Sequence, residues 1–214
     1  MSEGKKTELK IENHMVSEFG TNCYFVINTE TKEMLVVDPG DNASMLAEAI
    51  EKEQLSPKAV LLTHGHLDHA GAAEALAKKF DVKIYVHEAE KETLKDSRMN
   101  LTAVFGAAKT FHADVFVKDD EVLELIGCKI KVLFTPGHTP GGCCYYFNEQ
   151  RILFSGDTLF CESVGRTDFP GGSSSTLIRS IREKLLNLPD DVKVYPGHMS
   201  QTSIGTEKMY NPFI

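Results

Sequence analysis

Within Leu61-Leu62-Thr63-His64-Gly65-His66-Leu67-Asp68-His69-Ala70-Gly71, three histidines and an aspartate fall inside six residues, directly after an apolar run. No other stretch limits the fold so tightly. Burying imidazoles this close to a carboxylate is costly unless a cation satisfies them. Neutral imidazole and carboxylate are common ligands of zinc and related divalent ions. The chain must therefore fold so that this turn meets whatever else completes a metal site.

Three later segments end in the same way. Val132-Leu133-Phe134-Thr135-Pro136-Gly137-His138, Ile152-Leu153-Phe154-Ser155-Gly156-Asp157 and Val192-Lys193-Val194-Tyr195-Pro196-Gly197-His198 each run from an apolar strand through a glycine to a potential ligand. Glycine permits close backbone approach, which helps aim the next side chain into a crowded pocket. Any one of these could be an isolated turn residue. Five of the eight histidines sit at such exits, however, and strands that share a sheet edge bring their exits together.

The surrounding pattern predicts an opening antiparallel pair over 8–16 and 22–28, then a strand over 34–38 stopped by Pro39-Gly40. A helix over 43–53 follows, with Asp41 or Asn42 available as its cap. Further expectations are a strand over 58–62, a helix over 70–80, a strand over 82–86 and a helix over 87–95. Residues 97–113 read as a flap or an irregular loop. The second half predicts strands near 114–117, 121–125, 128–134, 143–147 and 151–155. A helix from Ser173 or Ser174 to about Leu186, a strand over 192–195 and a short tail complete it. No low-complexity linker divides the chain, so one domain over residues 1–214 is expected, with helices outside strands in both halves.

A composition of 42% hydrophobic and 25% charged residues is that of an ordinary globular protein. The net charge of −8 gives no support to a nucleic-acid or anionic-membrane partner. No apolar run approaches the ~18 residues of a membrane span, and Met1 to Lys10 lacks a signal-peptide core. A cytoplasmic protein is expected. Its cysteines, Cys23, Cys128, Cys143, Cys144 and Cys161, form no CxxC pair and read as free thiols in the core. Cys143 and Cys144 should alternate inward and outward on a strand.

The motifs THGHLDHAG, PGHTPGG, FSGDTLF and VYPGHM, in this order, resemble the metallo-β-lactamase superfamily. The resemblance runs from the strand end at Val37-Asp38-Pro39-Gly40 to the C-terminus. It implies an α/β protein with the four-layer αβ/βα sandwich of that family. It also implies one metal on His64, His66 and His138, a second on Asp68, His69 and His198, and Asp157 bridging both. The cofactors would be two divalent metal ions, zinc foremost, with iron or manganese as alternatives. A metal-bridged hydroxide would attack a carbonyl, with Asp68 and Asp157 as the catalytic carboxylates. Two such ions carry four positive charges, of which Asp68, Asp157 and a hydroxide offset three, and the remainder favours an anionic transition state.

Gly165-Arg166-Thr167-Asp168-Phe169-Pro170-Gly171-Gly172 and the tail Tyr210-Asn211-Pro212-Phe213 are similar to compact glyoxalase II-like hydrolases. Those enzymes cleave S-2-hydroxyacyl thioesters such as S-lactoylglutathione, so the expected partner is a small-molecule thioester. The Gly-Arg-Thr-Asp-Phe run also occurs in persulfide dioxygenases. That rival would use one iron on His64, His138 and Asp157. A lactonase or β-lactamase ranks lower, RNA processing is disfavoured by the acidic balance, and a catalytically silent metal-binding module should have lost one of the seven ligands. Larger glyoxalase II enzymes carry a helical extension that binds glutathione, whereas 16 residues follow His198 here. Met199 stands where many relatives have glycine. Arg166 and Asp168 read as a structural ion pair beneath the site. Asp38 reads equally as a turn residue or as a group orienting a ligand. His14, His87 and His112 lie outside the motifs and read as surface or structural histidines.

Overall fold

The computed structural model describes residues 6–214; residues 1–5, the start of the polar N-terminal stretch, lie outside them. The first sheet contains β1 (Leu9–Val16), β2 (Thr21–Asn28), β3 (Glu33–Val37), β4 (Ser56–Leu61), β5 (Lys83–His87) and β6 (Val115–Val117), side by side in that order. Its first three strands are antiparallel and β3 through β6 run parallel. The second half supplies β7 (Val122–Leu125), β8 (Cys128–Phe134), β9 (Cys143–Phe147), β10 (Ile152–Gly156), the hairpin β11 (Leu159–Phe160) with β12 (Ser163–Val164), then β13 (Lys193–Pro196) and β14 (Thr202–Ser203). Apart from the hairpin these form a sheet in the order β14-β13-β10-β9-β8-β7, with β10 and β13 parallel. The helices are α1 (Ala43–Lys52), α2 (Leu67–Ala70), α3 (Ala73–Phe80), α4 (Lys91–Lys95), α5 (Thr102–Phe105), α6 (Ser174–Ser180) and α7 (Ile204–Tyr210).

Strand alternation explains the layering, because successive side chains point to opposite faces. On β2, Cys23, Phe25 and Ile27 join the helix-side core with Leu46 and Ile50 of α1 and Leu76 of α3. Tyr24 and Val26 face the other way, into a core shared with Ile130, Val132, Tyr145 and Phe154 of the second sheet. The far face of that sheet, through Leu133, Cys144, Leu153 and Val194, packs on Leu177, Ile181, Leu185 and Ile204. Each fully buried residue of this kind contributes about 1.5–3 kcal/mol relative to exposure. Helix, sheet, sheet, helix is the expected four-layer αβ/βα sandwich. No helix among the described residues is long and apolar enough to cross a membrane.

Several local expectations need correction. The helix expected over 70–80 is two helices, broken at Gly71-Ala72, where the Ala72 N–H donates to the Pro39 carbonyl (2.9 Å). Asn42 does hold the N-cap position of α1, but in a left-handed conformation with no side-chain cap. Residues 87–95 begin with a 3-10 turn before α4, and the helix beginning at Ser174 passes into a π-turn over 181–185. Ser173 caps that helix, accepting from the Thr176 N–H. Cys143 and Cys144 do alternate, but both are buried, since the second sheet is covered on both faces. Cys161 is half-buried rather than in the core, and all five thiols are free.

Residues 97–113 contain α5 and an irregular turn held by the buried Asn100, whose amide donates to the carbonyls of Leu94 (3.1 Å) and Lys109 (3.0 Å). The tail is more than a tail. Glu207 of α7 is buried and accepts the Glu162 N–H (2.9 Å), while Asn211 donates to the Ser163 carbonyl (3.0 Å). Both bonds fasten the β11–β12 hairpin beside the site.

Candidate metal centre

The exits of β4, β8, β10 and β13 open at the same edge of the sandwich. From β4 come His64 and His66, with Asp68 and His69 on the short helix α2 that follows. Loops after β8, β10 and β13 deliver His138, Asp157 and His198. All seven residues singled out in the sequence meet here. His64, His66 and His138 form one group, Asp68, His69 and His198 another, and His64, His69 and Asp157 a third between them, with ligand atoms inside each group within 4.8 Å of one another. Asp157 reaches both ends: Oδ2 lies 3.4 Å from Nε2 of His138 and 3.5 Å from Nε2 of His198, and Oδ1 lies 3.3 Å from Nε2 of His69.

Two properties of this chain fit divalent cations. First, Nε2 of His66, Nε2 of His69 and Oδ1 of Asp157 are buried polar atoms without a hydrogen-bond partner, a costly arrangement that coordination relieves. Second, the charge balance is that of a site short of cations. Burial works against charge on His69 and His198, but the carboxylates Asp157, Asp68 and Asp38 outweigh it and raise His69 well above the ordinary histidine value, and Asp68 and Asp157 raise His198. The imidazoles at the other end are held neutral. Burial and neighbouring imidazoles push His64 well below the ordinary histidine value, and burial with His138 pushes His66 down to about 3, so both present lone pairs. Burial alone would raise Asp68 and Asp157, yet the surrounding histidines outweigh it and hold both ionised.

The surrounding chain fixes these side chains. Asp38 accepts the Thr63 N–H at Oδ1 (2.7 Å), and its Oδ2 accepts the Thr63 hydroxyl (2.6 Å) and faces Nδ1 of His69 (3.0 Å). Its φ of 51° is that of a turn, so Asp38 serves both of the roles that the sequence left open. The Thr21 hydroxyl donates to Asp68 (2.9 Å), and Nδ1 of His138 donates to the Arg166 carbonyl (2.7 Å). Such bonds set ring orientation and tautomer. The β13 exit is tied to β2: the Asn22 amide donates to the carbonyls of Pro196 (3.0 Å) and Met199 (2.9 Å), and the Tyr24 hydroxyl to Pro196 (2.8 Å). Gly197 is required by crowding, since a Cβ there would lie 2.3 Å from Oδ1 of Asp157.

Sequence reasoning missed Glu90. It is fully buried, accepts the Gly65 N–H at Oε1 (3.0 Å) and the Thr139 hydroxyl at Oε2 (3.0 Å), and so joins the loops that carry His66 and His138. Glu88-Ala89-Glu90-Lys91 reads as a solvated helical face, and no local signal marks its third residue as buried. The Arg166–Asp168 pair was misplaced. Its two bonds (2.7 and 2.6 Å) form as expected, but both side chains are exposed and Arg166 lines the cavity, rather than lying beneath the site. The backbone carbonyl of Arg166 accepts from His138, while its guanidinium lies over the Phe169 ring. His112 is exposed, His14 lies against Phe25, and His87 is buried and stacked on Phe134 at 4.2 Å.

Residues 16–198 match the metallo-beta-lactamase superfamily. The chain belongs to that superfamily. Among its members, "Hydroxyacylglutathione hydrolase GloC" of Haemophilus influenzae is 41% identical over 96% of this chain and 98% of its own. "Probable metallo-hydrolase YqgX" of Bacillus subtilis is 38% identical, covering 93% of this chain and 94% of its own. The solved structure of the BLEG-1 B3 metallo-beta-lactamase superposes with a TM-score of 0.91 at 38% identity, over 95% of this chain and 99% of that one. The superfamily fold and its His/Asp cluster make the protein a metallo-hydrolase in the broad sense.

Proposed function

We propose that this metallo-hydrolase cleaves S-2-hydroxyacyl thioesters of the S-lactoylglutathione kind. The carrying observation is the seven-residue His/Asp set at the base of a cavity of about 360 Å³. Among the described residues, the one titratable side chain lining that cavity apart from those ligands is Arg166, so no separate carboxyl or imidazole among them stands ready to protonate a leaving group. A thiolate leaves without such help, whereas an amine or alkoxide gains from an acid. The 41% identity to the hydroxyacylglutathione hydrolase supports the same reading.

His64, His66 and His138 would hold one divalent ion and Asp68, His69 and His198 a second, with Asp157 shared. The chemistry that such ions would supply when bound is a lowered pKa for coordinated water, to about 7, and polarisation of a carbonyl oxygen. Asp68, fixed by Thr21, orients the attacking water. Asp38 and the Arg166 carbonyl keep His69 and His138 aimed inward. The walls above, including Leu101, Phe160 and Phe169, keep bulk water from the reacting carbonyl.

Metal analysis of the purified protein, with three assays on the same sample, tests this. S-lactoylglutathione should be hydrolysed, with about two metals per chain. One iron per chain with oxygen uptake on a persulfide and no thioesterase activity would establish the dioxygenase instead. Turnover confined to β-lactams would move the protein to that branch.

A further inference from the structure

The mouth of the cavity is built from aromatic side chains where a carrier of negative charge would need cations. Phe169 stands edge-on to the ligand His66, with ring centroids 5.9 Å apart. Phe105 of α5 meets Phe169 at 6.2 Å and Phe19 of the β1–β2 turn at 5.3 Å, both edge-to-face. A continuous aromatic ridge therefore leads from the metal ligands to the surface. Phe19, Phe105 and Met199 are 46%, 48% and 58% exposed, an apolar patch of the kind that marks a binding site. Met199 holds a φ of 68°, a strained conformation for a residue with a side chain, and its side chain forms part of this wall.

The charges at the mouth agree. Among the described residues, Arg166 is the one lysine or arginine on the cavity wall; its guanidinium is paired with Asp168 at two points and lies 3.9 Å over the Phe169 ring. A second groove of about 350 Å³ continues past Phe19 and Phe105, and there Lys109 is outnumbered by Glu18 and Asp41. A thiol bearing two carboxylates finds no free basic pair along this path.

Resting on the thioesterase reading, we propose that the mouth selects the thiol half of the substrate as an uncharged, apolar group. A short 2-hydroxyacyl group stays at the metal end. The thiol half is then the part that runs along Phe169, Phe105 and Phe19, and a dicarboxylate thiol such as glutathione is a poor fit.

The test compares lactoyl thioesters of N-hexanoylcysteamine and of glutathione, two alkanethiols, with the metal-loaded enzyme. The N-hexanoylcysteamine ester should show at least a tenfold higher kcat/KM, carried by a lower KM. Phe105→Ser with Phe169→Ser should bring the ratio near one. Calorimetry with the unreactive thioethers N-hexanoyl-S-methylcysteamine and S-methylglutathione should show the same order of affinity, lost in the same variants. Equal or better use of the glutathione ester overturns the proposal. If no thioester is hydrolysed, the hydrolase reading fails, and the thioether binding order still reports separately on the apolar mouth.

Discussion

Oδ2 of Asp38 lies 3.0 Å from Nδ1 of His69 and accepts the Thr63 hydroxyl at 2.6 Å, so one buried carboxylate sets a ligand ring and the turn before the ligand cluster. Removing it has two separable effects. Asp38→Ala leaves the Thr63 N–H buried and unpaired, which should cost about 1–3 kcal/mol in urea unfolding. Asp38→Asn should retain most of that stability but lower affinity at the Asp68–His69–His198 end by about 10–100-fold, as measured by metal titration. Unchanged metal affinity in Asp38→Asn would show that Asp38 matters only to the turn.

Glu90 gives a second prediction. Its carboxylate meets donors on both sides, the Gly65 N–H and the Thr139 hydroxyl. Glu90→Gln turns an NH2 toward one of them and should destabilise the protein by about 1–3 kcal/mol, while Glu90→Ala, which leaves both donors unpaired, should cost more. Substrate KM should change little, because Glu90 does not line the cavity. Thermal unfolding and steady-state kinetics on the two variants check both statements.

Gly197→Ala tests crowding. The new methyl would stand 2.3 Å from Oδ1 of Asp157 and 2.6 Å from Cε1 of His69. The variant should fold yet bind less metal, seen by elemental analysis. Gly106→Ala is the control: the nearest atom is 3.8 Å away, and metal content should stay at the parental level.

Acid and chelation should act on the same site. An unfolded histidine titrates near 6.5, whereas burial and His138 hold folded His66 down to about 3. The folded value is the lower one, so unfolding takes up a proton between them. Stability from His66 is therefore present above about pH 6.5 and is lost as pH falls toward 3. Competition by protons for His66 itself follows the folded value, so this ligand should be lost to metal only as pH approaches 3, because a protonated imidazole cannot ligate. At neutral pH a chelator should lower Tm; each 1 kcal/mol lost corresponds to about 2–4 °C for a chain of this size. A Tm indifferent to chelator would count against metal at this site.

The ligand set was legible because all seven members lie just past apolar strands, and four of them, His66, His138, Asp157 and His198, directly follow a glycine, a short-range pattern written in consecutive residues. The layers were legible for a similar reason, since unbroken apolar runs such as Tyr24 to Ile27 mark strands covered on both faces. What escaped depends on distant packing. Glu90 looks like its solvated neighbours until Gly65 and Thr139 close around it. The break between α2 and α3 needs the Pro39 carbonyl, more than thirty residues earlier in the chain. The exposed placement of the Arg166–Asp168 pair goes with the packing of the guanidinium over Phe169, which the run of residues by itself does not reveal.

The bonds from Asn22 to the His198 loop join residues 174 and 177 positions apart. A ribosome adding roughly 5–20 residues per second makes the two ends of that clasp about 9–35 s apart. His64, His66, Asp68 and His69 are thus synthesised well before the loop that completes the set. The three groups that place these seven side chains within reach of one another therefore cannot all close until the last loop of the chain has been made.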